Sequence, residues 1–193
     1  MIYILIGICG FLLCYAFDWA SLRNLRVVKQ LIGLLAICLT AYATIMVCVI
    51  PVKFYLPFFT LPLGVGLLVI SLCLLIYSLL IEIPFHNTYA KKGVGNKLIT
   101  TGTYALVRHP GVIWLAIVYL SLALIFPSTT LFLAVIVWLI MDIIIVTLQD
   151  KVLFPKMFPT YREYQLKTPF LIPTKQSISA CLRTIDPRAK LRK

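Results

Sequence analysis

The chain has 193 residues, enough for one domain of ordinary size, but 62% of them are hydrophobic and only 12% charged, about half the roughly 25% charge of a soluble protein. With a mean hydropathy of +1.02, this composition excludes both a disordered chain and a water-soluble globule and leaves an integral membrane protein. A formal charge of +12 would suggest nucleic acid in a soluble protein. Here the basic residues flank apolar spans or crowd the C-terminus, so membrane orientation and anionic lipid headgroups account for them, and no nucleic-acid partner is expected.

Five apolar stretches predict an all-α integral membrane fold. The first runs from Met1 to Phe17; it lacks a basic leading region and a small-residue cleavage site, so it reads as a retained helix. The second runs from Leu31 to Ile50 and the third from Phe58 to Ile81, each near the roughly 20 residues that cross a hydrocarbon core of about 30 Å. The fourth, Val112 to Phe126, is shorter, and the fifth runs from Thr129 to Leu148. Only Pro127-Ser128 separates these two, which predicts a helical hairpin. Five spans put 17 of the 18 basic residues on one side and leave Lys53 alone on the other. Cytoplasmic loops show this bias, so the N-terminus is expected outside and the C-terminus in the cytosol, in a bacterial inner membrane or the endoplasmic reticulum.

The long inner loop from Glu82 to Gly111 and the tail from Gln149 are the segments expected to carry function. Three units follow: residues 1–95 hold three helices and the start of the inner loop, 96–173 a core built on the hairpin, and 174–193 a basic flexible tail. Five cysteines lie in apolar stretches and only Cys181 in a polar one. Without a CxxC spacing, and with two histidines, neither a metal site nor a disulfide framework is expected. Glu82 and His86 read as interfacial, and Gly93-Val94-Gly95 as a flexible turn.

Two segments carry candidate chemistry. Arg108-His109-Pro110 reaches the membrane surface where the fourth span begins, with proline suited to a first helical turn. A cation and an imidazole there can hold an anionic group or orient a polar ligand, although an interfacial Arg beside a solvated His is the simpler reading of the tripeptide alone. Gln149-Asp150 closes the fifth span at the same depth if the hairpin forms. The acid reads either as an ordinary helix-end charge or as a ligand-binding acid, and the first reading is weakened because an acid at a helix C-terminus opposes the helix dipole. Asp142 lies about two turns deeper, where a carboxyl needs a partner or a role. It shares a helical face with Val146, Gln149 and Asp150, and either a packing bond to Ser121 or Tyr119 or a catalytic role explains it.

The pattern Leu98-Ile99-x-x-Gly102-x-Tyr104-x-x-Val107-Arg108-His109-Pro110, a hairpin, an acidic end, then Phe-x-x-Tyr-x-x-Tyr-like spacing and a terminal Ile-Pro, resembles the isoprenylcysteine carboxyl methyltransferase and phospholipid methyltransferase superfamily of integral membrane enzymes. The likeness covers about residues 96–173. It implies S-adenosylmethionine as methyl donor at the cytosolic face, with Leu98, Ile99, Gly102 and Tyr104 wrapping it. His109 with Pro110 would contact it, and Gln149 and Asp150, where the family usually has a glutamate pair, would hold its polar groups. A lipophilic acceptor would enter from the bilayer. Arg108 is the candidate for positioning a carboxylate acceptor, and Asp142 or Asp150 for removing a proton from an amine. Two rivals stand beside this reading: an NADPH-dependent membrane reductase related to sterol reductases, and a non-enzymatic membrane subunit whose basic tail binds lipid.

The charge bias yields a direct test. Single cysteines at Lys92 and Lys193 are expected to resist an impermeant thiol reagent in intact cells, while one at Lys53 reacts. Equal labelling at positions 53 and 92 would contradict five spans.

Overall fold

Charges bound the apolar runs of the sequence, but they do not bound the helices. The computed structural model describes residues 1–50, 54–83 and 98–185. Helix α1 spans Ile2–Leu22 and α2 spans Arg26–Val49, so the first continues past Asp18 and the second begins before Lys29. Lys29 is buried in the bundle and Asp18 is half-buried within it, so neither marks its edge. Helix α3 spans Thr60–Ile76 and ends in a π-helical turn, Tyr77–Glu82. After the short α4 (Thr103–Leu106), α5 spans Pro110–Ile125 and α6 spans Thr129–Leu148. The hairpin expected from Pro127-Ser128 is present, with the Ser128 side chain capping α6 at the Leu131 amide.

All five expected spans are therefore helical. Four are long and apolar enough to cross a membrane, while α5 has 16 residues. Helix α6 does not stop at Leu148. It continues through a second π-helical turn, Gln149–Leu153, into α7 (Phe154–Met157). Helix α8 (Tyr161–Lys167) follows, and then α9 (Lys175–Ile185). The tail from Thr174, expected as a flexible arm, is thus helical through Ile185. The reason is a fixed start: the Thr174 and Ser177 side chains and amides bond reciprocally, and Ser177 and Cys181 pack inward. Lys53, His86, Lys92, the turn at Gly93-Val94-Gly95, the boundary at 95/96 and residues 186–193 lie outside the described residues.

The five long helices pack in the order α2, α1, α6, α5, α3. Small residues allow the close approaches. Gly10 of α1 faces Thr40 and the Ala36 carbonyl of α2, and Gly64 of α3 faces Ser121, Leu124 and Ile125 of α5. At the centre Trp138 is fully buried, donates to the Ile4 carbonyl at 3.0 Å and stacks obliquely on Tyr119. The two π-helical turns, the α1–α2 turn and the start of α5 gather at one end of the bundle.

Gly7 lies directly beneath Trp138, so a Cβ on it would collide with the indole. The indole cannot yield without losing its bond to Ile4. Gly7→Val is expected to cost about 1–3 kcal/mol as overpacking, read as a lower melting temperature in detergent. Gly66→Val, with open space around the new Cβ, should melt close to wild type.

Candidate functional site

Pro110 disfavours a helical conformation at the residue before it. His109 is accordingly non-helical and serves as the N-cap residue of α5, while Val107 is extended. This short extended run carries Arg108 under the end of α6. Arg108 grips Asp150 with two parallel bonds, Nε to Oδ1 at 2.8 Å and Nη2 to Oδ2 at 3.0 Å. Its Nη1 donates to the carbonyls of Gln165 and Thr168, and its backbone amide to the carbonyl of Pro169. Asp150 is 4% exposed. It also accepts from the Tyr161 hydroxyl at 2.6 Å, from Gln165 Nε2 at 3.1 Å, and from His109 Nε2 at 3.4 Å. Such a cage favours the charged carboxylate.

The cage holds the imidazole in place. His109 stacks on Phe154 and meets the edge of Phe170. Burial pushes its pKa below the usual value against the opposing pull of Asp150, so the ring is neutral at pH 7. A carboxylate only accepts, so the ring proton sits on Nε2 and Nδ1 is left as an acceptor. Burial, with the Asp150 carboxylate second, pushes the Tyr161 phenol well above its ordinary value and keeps it a donor.

The wall formed by α4 is fixed separately. Gly102 has φ +63°, and Glu82 occupies the position a Cβ would take. From there Glu82 accepts from the Thr103 amide at 2.9 Å and from the Thr103 hydroxyl. Ser78 bridges this group to α5 by accepting from Trp114 Nε1. Glu82 thus caps α4. The Tyr104 carbonyl accepts from the Tyr164 hydroxyl, tying α4 to α8.

These elements enclose a cavity of about 470 Å³. Every residue singled out from the sequence lines it except Gly102 and Asp150: Leu98, Ile99, Tyr104, Arg108, His109 and Pro110 from one side, Asp142 and Gln149 from α6. Gly102 and Asp150 stand behind the wall they support. Asp150 therefore does not share the cavity-lining face of Asp142 and Gln149, and Arg108, expected to grip an acceptor carboxylate, grips Asp150. Asp142 has neither of its expected packing partners. Ser121 donates to Ile117 and Tyr119 pairs with Thr44. Among the described residues, Asp142 Oδ2 is buried without a hydrogen-bond partner.

Two residues escaped the sequence reading. Gln165 completes the Asp150 cage. Asp18 of α1 lines the cavity and accepts from Gln149 Nε2 at 2.5 Å. An acid inside the otherwise apolar run before Trp19 was the available signal.

A family model described as "Phospholipid methyltransferase" matches residues 59–160, just over half of the chain. Searches of curated proteins and of solved structures give no match. The chain belongs to the phospholipid methyltransferase family, within the superfamily its motifs resemble, and is a membrane methyltransferase. The matched segment contains α3 to α7, and hence both Arg108-His109-Pro110 and Gln149-Asp150.

The buried neutral His109 sets a pH dependence. Its folded pKa is depressed below the ordinary 6.5, so the unfolded chain binds the proton first as pH falls. The stability contributed by the neutral ring is complete above about pH 6.5 and is lost as pH falls through the folded value. Melting curves between pH 5 and 8 in detergent should show this slope in the wild type and a shallower one in His109→Gln. Identical slopes would contradict a buried neutral ring.

Proposed function

We propose that this membrane methyltransferase moves a methyl group from S-adenosylmethionine to an amine on a lipophilic acceptor. One observation carries the choice of amine: Asp142 lines the cavity with its Oδ2 unpaired among the described residues, whereas Arg108 is committed to Asp150. A carboxylate acceptor would meet repulsion from Asp142 and find no free cation in Arg108. An amine meets attraction and a proton acceptor.

The cavity also suits the donor. Its volume lies within the roughly 300–1,000 Å³ of small-molecule sites. S-adenosylmethionine, when bound, supplies an electrophilic methyl group on a positively charged sulfonium. Tyr104, Phe154, Phe158 and Tyr161 line the cavity with aromatic faces, which attract both flat rings and cations. Leu98, Ile99 and Pro110 supply apolar edges, and His109 Nδ1 supplies an acceptor. Gln149, held by Asp18, presents its remaining amide groups. Asp150 and Gly102 act one layer back, by holding His109 and α4.

The chain's work is then alignment, exclusion of water and one proton transfer. An amine attacks only through a free lone pair, so an ammonium group must give up a proton to a base before the N–CH3 bond forms, the S–CH3 bond breaks and the sulfur leaves as a neutral thioether. Asp142 is the group in reach of a headgroup drawn below the surface. An acceptor can approach through the bilayer, since Gly33, Ala36 and Ile37 of α2 and Leu75 and Leu79 of α3 line the cavity at the two ends of the helix row.

Asp142→Asn keeps the shape and removes the charge. Turnover is expected to fall on the order of a hundredfold or more, the scale of general-base catalysis. Calorimetric titration with S-adenosylhomocysteine should give affinity near that of the wild type. Normal turnover in this variant would contradict the proposed role.

A further inference from the structure

Helix α9 is not part of the cavity, yet it touches the wall. It packs against α4, and Thr184 Oγ1 accepts from the Gly102 amide at 2.9 Å. Helical steps of about 100° divide its surface into three strips. Ser177, Cys181 and Thr184 form the packed strip. Ile178, Leu182 and Ile185 form an apolar strip beside it, left 45%, 67% and 45% exposed. Lys175 and Arg183 lie beyond that strip, both exposed to solvent. The sequence then adds Arg188, Lys190, Arg192 and Lys193.

We propose that α9 is an interfacial strap that binds the anionic leaflet of the membrane the chain spans. Three arguments select this occupant. The apolar strip lies between the packed face and a basic flank, the arrangement of a helix resting in the headgroup layer. Three aliphatic side chains are too few for a stable protein interface, and a second copy of a chain carrying +12 is repelled by the same charges. The support beneath α9 also lies at the membrane boundary, because α4 packs on the start of α5 and on the π-helical turn that ends α3.

The strap has a consequence for the site. Its latch on Gly102 holds the loop whose Leu98, Ile99 and Tyr104 line the cavity. Anionic lipid that fixes α9 therefore steadies one cavity wall. This inference rests on α9 and its surface charge, and stands whether or not the acceptor is an amine.

The test is hydrogen exchange of the full chain in nanodiscs of phosphatidylcholine alone and of phosphatidylcholine mixed with phosphatidylglycerol. Amides of 175–185 and 102–106 are expected to exchange about tenfold more slowly in the anionic discs, the scale of one to two basic side chains at an anionic surface. High salt should erase much of the difference, and Arg183→Glu combined with Lys175→Glu should remove it. Equal exchange in both lipids would overturn the proposal, as would protection that the double variant retains. So would protection that depends on the number of chains per disc, which would assign the strip to a second copy.

Discussion

The buried pair between Arg108 and Asp150 organises everything around the cavity. It joins the residue pair before α5 to the end of α6, and through the Gln165, Thr168 and Pro169 carbonyls it fastens the tail across both. Two charges withdrawn from water are stabilising only when their remaining hydrogen-bonding capacity is filled. Here five further protein groups fill it: two backbone carbonyls on the arginine side, and Tyr161, Gln165 and His109 on the carboxylate side. Removing either charge leaves the other uncompensated, a loss of about 3–5 kcal/mol for a buried pair. His109 owes its orientation to the same pair, since its Nε2 proton is directed to Asp150. The imidazole therefore enters the cavity with one defined face and one defined acceptor.

The helices outside the family segment are part of the site. Residues 59–160 supply α3, the hairpin and the Asp150 anchor. Cys14, Phe17 and Asp18 of α1, and Gly33 and Ala36 of α2, close the cavity from the opposite side. Asp18 accepts from Gln149 Nε2, so Gln149 is held and oriented from α1. Lys29 lies near Asp18 and is 1% exposed. The cavity thus carries an acid on α1, at the level of Gln149, and a second one deeper on α6, Asp142.

Hydropathy made the five spans legible because each is a nearly continuous apolar run, and Pro127-Ser128 marked the hairpin. The polar contents of the cavity were legible because they depart from their surroundings. Arg108, His109 and Asp142 are polar groups where apolar ones are the rule. What failed was the treatment of charge as a boundary. Asp18 and Lys29 looked like span ends, yet Asp18 lines the cavity and Lys29 is a buried group. Asp150 looked like a ligand-binding acid, yet the bonding partners that take it inward come from α8, a segment whose path no local pattern reveals. The helix at Lys175–Ile185 was missed because its apolar residues are few. Its order comes from the cap at Thr174 and from docking on α4, and long-range docking leaves little trace in composition.

If the cavity directs a methyl group onto an amine, as proposed, the fate of that methyl group reveals it. Purified protein in liposomes of native lipid extract would be supplied with methyl-labelled S-adenosylmethionine, and the labelled lipid then treated with mild alkali. N-methyl groups survive alkali, whereas methyl esters release labelled methanol. Label is expected to stay in an alkali-stable lipid headgroup. Labelled methanol, or no label entering lipid at all, would contradict the proposal.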